Sequence, residues 1–360
     1  MRVAVIGSRG IPASYGGFET LAEQLAYFLP AADLHLTVIG EHQTLPGNYS
    51  KVRVMTTFFS KRKFPVLFYL ESLLRSIINN DVIILLGVGA GPFLWMARIF
   101  HRKTITNVDG LEHLRGKYSV LQKWYVLLAQ RITAWFSNWL VADSCIVADY
   151  WKQKYSGVDN KISVIGYGAR TGNSTSNTVE LLREFGVTDN TYYLVIARIV
   201  PENNIQMIID GFLQSKSAFT LLIVGNWNDS EYGKLIRERT ATNLRFLDPV
   251  YDNEKTSALR LHCLAYLHGH SVGGTNPTLV ESLAAAAVTV CHDNPFNRET
   301  TGNIGYFFHD ATSLAEAIHQ LEQSDKELLL SNKKNAVRLA QEKYDWSSIV
   351  NAYEKLIQMR

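Results

Sequence analysis

The sequence has little cysteine: three residues in 360, Cys145, Cys263 and Cys291. An odd, sparse and widely spaced set excludes a disulfide framework and fits a reducing compartment. The spacing matches no zinc motif. Long charge runs are absent and only 19% of residues are charged, which excludes a disordered chain. It also leaves no basic tract for a nucleic acid. Long apolar runs are missing too. Met1-Arg2 leads straight into Val3–Ile6, and four apolar residues are too few for the core of a signal peptide. Val82–Ala97 carries no charge, but Gly87, Gly89, Gly91 and Pro92 interrupt it. It falls short of the roughly 20 residues a membrane span needs. It reads as a buried strand (82–86), a glycine turn and a helix.

What is present is apolar content: 47% of the residues, enough for two separate cores. The net charge of +3 is unevenly spread. Up to Gly168 there are 18 Lys and Arg against 11 Asp and Glu; the remainder has 18 against 22. The two halves therefore carry different electrostatic roles.

Short β-rich runs alternate with helical stretches almost throughout. Strands are predicted at 2–7, 34–39, 52–56, 82–86, 104–108, 139–142 and 162–165, with helices at 17–29, 64–79, 118–136 and 144–155. The small, polar run 166–177 reads as a linker. The pattern then restarts, with strands at 191–197, 219–224, 244–247, 263–267 and 288–291. Helices follow at 203–215, 229–239, 252–261, 277–287, 311–323 and 326–343. Such alternation implies two α/β domains with parallel sheets, 1–168 and 169–345. A last helix, about 346–359 within 346–360, can cross back to the first domain. Both sheets should turn the carboxyl ends of their strands toward a shared cleft.

Four loops have residues suited to chemistry. Gly7–Thr20 follows the first strand; Gly16-Gly17 lets backbone approach a ligand at a helix start, and Glu19 lies one turn in. It lacks the G-x-G-x-x-G spacing, and no acid ends the second strand, which counts against a nicotinamide-binding domain. Thr106–His113 carries Asp109 and Glu112, although Asp109-Gly110 also suits a plain turn. Ala197–Asn204 places Arg198 just after a strand, where its planar fork suits a diphosphate or a surface ion pair. His268–Glu281 is the most informative. Asn276 suits an N-cap and Pro277 a first helical residue; Gly273-Gly274 leave amides free for a phosphate, and Glu281 is within reach of a ribose. His268 and His270 have no third ligand nearby, so hydrogen bonding to sugar or phosphate is expected rather than metal binding.

These residues resemble the GT-B glycosyltransferases of the large retaining family that includes mannosyl- and rhamnosyltransferases. The runs Gly7–Thr20, Asn107–Glu112 and Gly273–Pro277 look like its bacterial polysaccharide rhamnosyltransferase subgroup, and the likeness covers nearly the whole chain. The resemblance implies a donor site of Gly16, Gly17, Arg198, Asn203, Gly274, Thr275, Asn276 and Glu281. It puts Asp109, Arg198 and His270 at the chemistry, and Glu19, Glu112 and His268 near the acceptor. The chain departs from the family's pattern at three positions. Gly273 stands where a Glu is usual, Asn203 where a Lys is usual, and Val108 where a His precedes the Asp. Asp109 and His270 are the candidates to take over the missing contacts.

The resemblance implies retention of anomeric configuration, with the leaving phosphate taking the acceptor's proton. No cofactor is expected beyond the nucleotide-sugar. No Asp-x-Asp stands on a strand-end loop, so no metal is expected, and fixed donors must stabilise the leaving charge. The basic first half points to the acceptor. Lys61-Arg62-Lys63, Lys123 and Arg131 stand beside Trp, Phe and Leu, as suits an anionic leaflet or, equally, the core faces of ordinary helices. A polyprenyl-diphosphate-linked saccharide at the inner face of the plasma membrane is the expected acceptor, with dTDP-L-rhamnose as expected donor. Two rivals stay open: a GT-B transferase with another donor and a soluble acceptor, and a non-catalytic nucleotide-sugar-binding protein.

Overall fold

The computed structural model describes residues 1–13, 16–29, 34–41, 51–110, 119–170 and 178–359. Glu112 and most of the linker lie outside the described residues. The chain divides into two units, Met1–Tyr167 with Trp346–Arg360, and Gly168–Asp345.

Unit 1 runs β1 (Arg2–Ile6), α1 (Gly17–Phe28), β2 (His35–Gly40), β3 (Val52–Thr56), α2 (Pro65–Asn79), β4 (Val82–Leu86), α3 (Leu94–Ile99), β5 (Lys103–Asn107), α4 (Val120–Phe136), β6 (Trp139–Ala142), α5 (Cys145–Lys154) and β7 (Ile162–Val164). A 3-10 turn, Val88–Phe93, leads into α3. The seven strands form one parallel sheet in the order β3-β2-β1-β4-β5-β6-β7. Central β4 is apolar at every position because helices cover both faces. Ile83 and Leu85 meet Phe68 and Leu73 of α2 and Leu94 of α3. Val82, Ile84 and Leu86 share a core with Leu21 and Leu25 of α1.

Unit 2 runs α6 (Thr178–Glu184), β8 (Tyr192–Ile196), α7 (Ile205–Ser215), β9 (Thr220–Val224), α8 (Glu231–Arg237), β10 (Leu244–Leu247), α9 (Asn253–His262), β11 (Ala265–His268), α10 (Pro277–Ala284), β12 (Thr289–His292), α11 (Pro295–Thr301), β13 (Tyr306–Phe308), α12 (Ala311–Gln323) and α13 (Lys326–Lys343). Its parallel sheet has the order β10-β9-β8-β11-β12-β13. The last helix, α14 (Trp346–Gln358), belongs to unit 1, where Trp346, Ile349, Val350 and Tyr353 join the α1 core.

Three elements escaped the sequence reading: α6, α11 and β13. The buried residues of α11 are Asn297, Thr300 and Thr301, so no apolar period announces it; Asn294 caps it at Asn297 N (3.0 Å). β13 is a three-residue strand, Tyr306–Phe308. Two boundaries also shift. The strand expected at 263–267 is Ala265–His268, so His268 is a buried strand residue in register with Cys291 rather than the first residue of a loop. The helix expected to reach 287 ends at Ala284, because Ala286 takes a left-handed φ of 58° as the chain turns into β12.

Candidate active site

Strand order reverses between β8 and β11 in unit 2: the chain builds outward from β8 to β10, then returns to β8's other side. Loops leaving adjacent strands at such a point diverge and leave a crevice at the strands' carboxyl ends. Arg198 follows β8, and Gly269–Asn276 follows β11. The sequence-predicted residues Arg198, Asn203, His270, Gly274, Thr275 and Asn276 therefore stand on neighbouring loops.

Hydrogen bonds bind these loops together. Asn203 is 6% exposed; its Nδ2 donates to the Arg198 carbonyl (2.7 Å) and its Oδ1 faces His270 Nδ1 (2.8 Å). Because the amide nitrogen is committed to a carbonyl, the oxygen is an acceptor and His270 Nδ1 carries the proton. Asn204 Nδ2 donates to the Gly269 carbonyl (2.8 Å), and Ser271 N to the Glu202 carbonyl (3.0 Å). From the far side, Nδ2 of Asn294 and of Asn297 both donate to the His270 carbonyl at 2.9 Å. The residue where a lysine was expected by resemblance thus acts as a brace between two loops.

The donors left over suit an anion. Arg198 is exposed, and its guanidinium has no partner among the described residues. The buried Gly273 and Gly274 N–H groups likewise donate to nothing described. Gly273 has a φ of 125°, a backbone state an L side chain resists, so a Glu there would be strained. Asn276 Oδ1 caps α10 by accepting from Thr278 N (3.0 Å), which orients the helix start behind those amides.

His268 lies beneath His270, ring centroids 6.1 Å apart, and stacks on Tyr266 at 6.0 Å. Its Nε2 is buried without a hydrogen-bond partner among the described residues. Burial first, then His270 and His292, hold its pKa well below the ordinary histidine value. It is a neutral packing residue under this floor. Glu281 is engaged within unit 2: its Oε2 accepts from Arg260 Nη2 at 2.5 Å, with the Arg260 side chain 5% and the Glu281 side chain 41% exposed. A ribose contact by Glu281 would have to share the carboxylate with that buried guanidinium.

In unit 1 the reversal lies between β1 and β4. Gly16 begins the approach to α1 with a φ of 109°. Glu19 is 5% exposed and its Oε1 accepts from Arg9 N (2.9 Å), while Glu23 Oε1 accepts from Ala13 N (3.2 Å). Glu19 therefore shapes the loop. Asp109 stands two residues beyond β5 in the left-handed region, φ 56°. Asn107 Oδ1 accepts from Asp109 N (2.9 Å), Asn107 Nδ2 donates to Tyr353 Oη of α14 (2.8 Å), and Tyr167 Oη donates to Asp109 Oδ1 (3.4 Å). These hydrogen bonds hold Asp109 in its left-handed conformation at the carboxyl end of β5. Glu112 lies outside the described residues. Sequence reasoning missed Arg260, Asn294, Asn297 and Tyr353, whose partners are far away in the chain and leave no local signal. Among the described residues no three His, Cys, Asp or Glu side chains gather as metal ligands would.

Comparison with known proteins bears on the fold. Residues 180–343 match the family model of glycosyl transferases group 1, and residues 1–51 and 66–170 that of a domain of unknown function, DUF1972. No curated protein matches. Among solved structures, sucrose-phosphate synthase from Thermosynechococcus elongatus superposes with a TM-score of 0.82 at 15% identity, over 99% of this chain and 98% of the other. Anabaena HepE in complex with UDP-glucose gives 0.78 at 16% identity over 100% of both chains. OtsA, a trehalose-6-phosphate synthase, gives 0.74 at 12% identity over 100% of both. The fold is GT-B, two parallel-sheet α/β units, and the second unit is the part that matches the group 1 glycosyl transferase model.

Proposed function

We propose that this chain, with a group 1 glycosyl transferase domain as its second unit, transfers a hexose or deoxyhexose from a nucleotide-sugar to a lipid-linked saccharide. The transfer retains configuration. The favoured donor is dTDP-L-rhamnose, and the favoured acceptor is a polyprenyl-diphosphate saccharide of bacterial surface polysaccharide synthesis, met at the inner face of the plasma membrane. One observation carries the reading: Asn203 ties the Arg198 loop to the His270 loop at the strand-order reversal, beside amides that donate to nothing among the described residues.

In the proposed reaction the bond from the sugar's anomeric carbon to the diphosphate oxygen breaks. The acceptor oxygen bonds to that carbon on the same face, and its proton passes to the departing phosphate. Arg198 and the N–H groups of Gly273 and Gly274 bind the diphosphate as its charge grows. Donors fixed before the reaction are more effective than water that must reorient. His270, protonated on Nδ1, turns Nε2 to the sugar, and Asp109 orients a sugar hydroxyl. The residues need no divalent cation in this scheme.

A UDP-hexose donor is the second reading, favoured because the solved HepE structure is a complex with UDP-glucose. Thermal-shift measurements against dTDP-, UDP- and GDP-sugars separate the two, since a ligand that binds only the folded form raises its melting temperature. Turnover of the stabilising donor then distinguishes an enzyme from a binding protein. Absence of any shift with all three classes overturns the proposal.

A further inference from the structure

The apolar side chains left at the surface are concentrated in unit 1. Of 23 exposed large hydrophobic residues among those described, 14 lie between Phe58 and Trp135. An exposed helix ordinarily turns polar residues outward. On α2, Leu67, Leu74 and Ile78 recur at i, i+7 and i+11 on the outer side, Ile78 being 71% exposed. On α3, Trp95 and Ile99 stand one turn apart and are both exposed. On α4 the outward residues are Leu121, 81% exposed, and Trp124, 65% exposed, with Trp135 three turns further on.

The three helices lie over one face of the unit 1 sheet. The 3-10 turn Val88–Phe93 packs against both α2 and α4, and α3 continues from it and touches α4. Tyr125 Oη donates to the Gly89 carbonyl (2.9 Å), locking α4 to that turn. Their outward stripes therefore belong to one surface.

The segments that build this surface are predominantly basic. The segments 58–103 and 119–136 hold nine Lys and Arg against two acids, Glu71 and Asp81. Both acids are engaged, Glu71 by Arg75 and the Phe58 and Phe59 amides, Asp81 by Arg2. Arg131 stacks over the Trp135 ring (5.1 Å) and Arg98 over Phe136 (6.0 Å), so cations and aromatic rings are interleaved. Long basic side chains can lie along apolar surface while their charged ends reach phosphate headgroups. Tryptophan and leucine beside lysine and arginine are the composition that settles at an anionic lipid interface.

We propose that α2, α3 and α4 of unit 1 form a docking face for an anionic lipid bilayer, with Trp95, Trp124 and Trp135 entering the interface. The inference rests on the proposed lipid-linked acceptor, since it names the surface that brings the enzyme to it. Its test needs no acceptor.

The full chain is sedimented at low salt with phosphatidylcholine vesicles, with and without phosphatidylglycerol. Binding is expected only with phosphatidylglycerol, weakening as salt rises, with tryptophan emission quenched by brominated acyl chains. Leu121→Glu combined with Trp124→Glu should lower partitioning at least about tenfold. Arg62→Gln and Lys63→Gln should each lower it about fivefold. All four positions are exposed or in open turns, so melting temperature should hold. Leu235→Glu on α8, at an exposed apolar residue of unit 2, should leave partitioning unchanged. Wild-type protein that ignores anionic vesicles overturns the proposal, as does partitioning that the α4 variants do not alter. A dimer that the same variants dissociate while vesicle binding persists also overturns it, because the face would then belong to a second copy. The enzymatic reading is judged separately, by turnover on a short-chain, detergent-dispersed acceptor, which the docking variants should retain.

Discussion

The side-chain oxygen of Asn203 accepts a hydrogen bond from His270 Nδ1 at 2.8 Å, while the same amide's nitrogen donates to the Arg198 carbonyl. One buried side chain thus sets the spacing between the loop of the phosphate-binding candidate and the loop that carries the Gly273 and Gly274 amides. Asn203→Ala removes both bonds. It should lower stability by about 1–3 kcal/mol and raise KM for the nucleotide-sugar. Chemical denaturation and steady-state kinetics check this; unchanged KM with lower stability would make the brace purely structural.

The Arg198 side chain is exposed and its guanidinium makes no hydrogen bond or ion pair among the described residues, so its removal should scarcely affect folding. Its expected role is in the transition state, where losing one fixed donor costs on the order of 10²–10³ in rate. Arg198→Ala should show a loss of that size in kcat with an unaltered melting temperature. Activity within about threefold of wild type, against the loss expected for a fixed donor, would remove Arg198 from the chemistry.

His268 is held neutral by burial, and the same cause lowers His292. Both fold with a pKa below the ordinary histidine value of 6.5. Above that value neither folded nor unfolded form is protonated, and the full stability is present. As pH falls below it, the unfolded chain takes up protons that the folded chain refuses, so stability declines by at most about 1.4 kcal/mol per pH unit for each group. Melting temperature should therefore fall between pH 6.5 and 5, and less steeply in His268→Gln. Parallel slopes for the two proteins would contradict the assignment.

Glu281 neutralises Arg260, whose side chain is 5% exposed. Glu281→Gln should destabilise the ligand-free protein by about 1–3 kcal/mol, because a buried guanidinium loses its charged partner. If the carboxylate served only a ribose, the ligand-free melting temperature would not move. Differential scanning calorimetry without nucleotide separates these outcomes.

Asp109 occupies a left-handed backbone state that Asn tolerates and Ala resists. Asp109→Asn should fold as well as wild type, whereas Asp109→Ala should be less stable by about 1–2 kcal/mol. If the carboxylate orients a sugar hydroxyl, both variants lose activity to a similar degree. Full activity in Asp109→Asn would assign the position to backbone geometry alone.

Much of this architecture was legible in advance. Val82–Leu86 reads as a doubly covered strand because all five residues are apolar. Asn276-Pro277 marks a helix start because an amide cap and a fixed φ suit those two positions. Other features were not legible. The polar buried face of α11 mimics a loop in sequence, and its Asn297 is recognisable as a brace only once the His270 carbonyl stands beside it. Glu281 looked free for a ribose because Arg260 lies a helix and a strand earlier in the chain.

By itself the sequence determined the type and order of most of the elements, since side-chain period, capping and turn chemistry act over a few residues. It also determined which loops leave strands and carry Arg198, His270 and Asp109. Only the tertiary structure decided how those residues are employed. Strand order put β8 beside β11, α14 returned to hold Asn107 through Tyr353, and Asn203 met His270 across 67 positions. Such pairings depend on chain paths brought together by burying apolar faces, and nothing within a few residues of either partner encodes them.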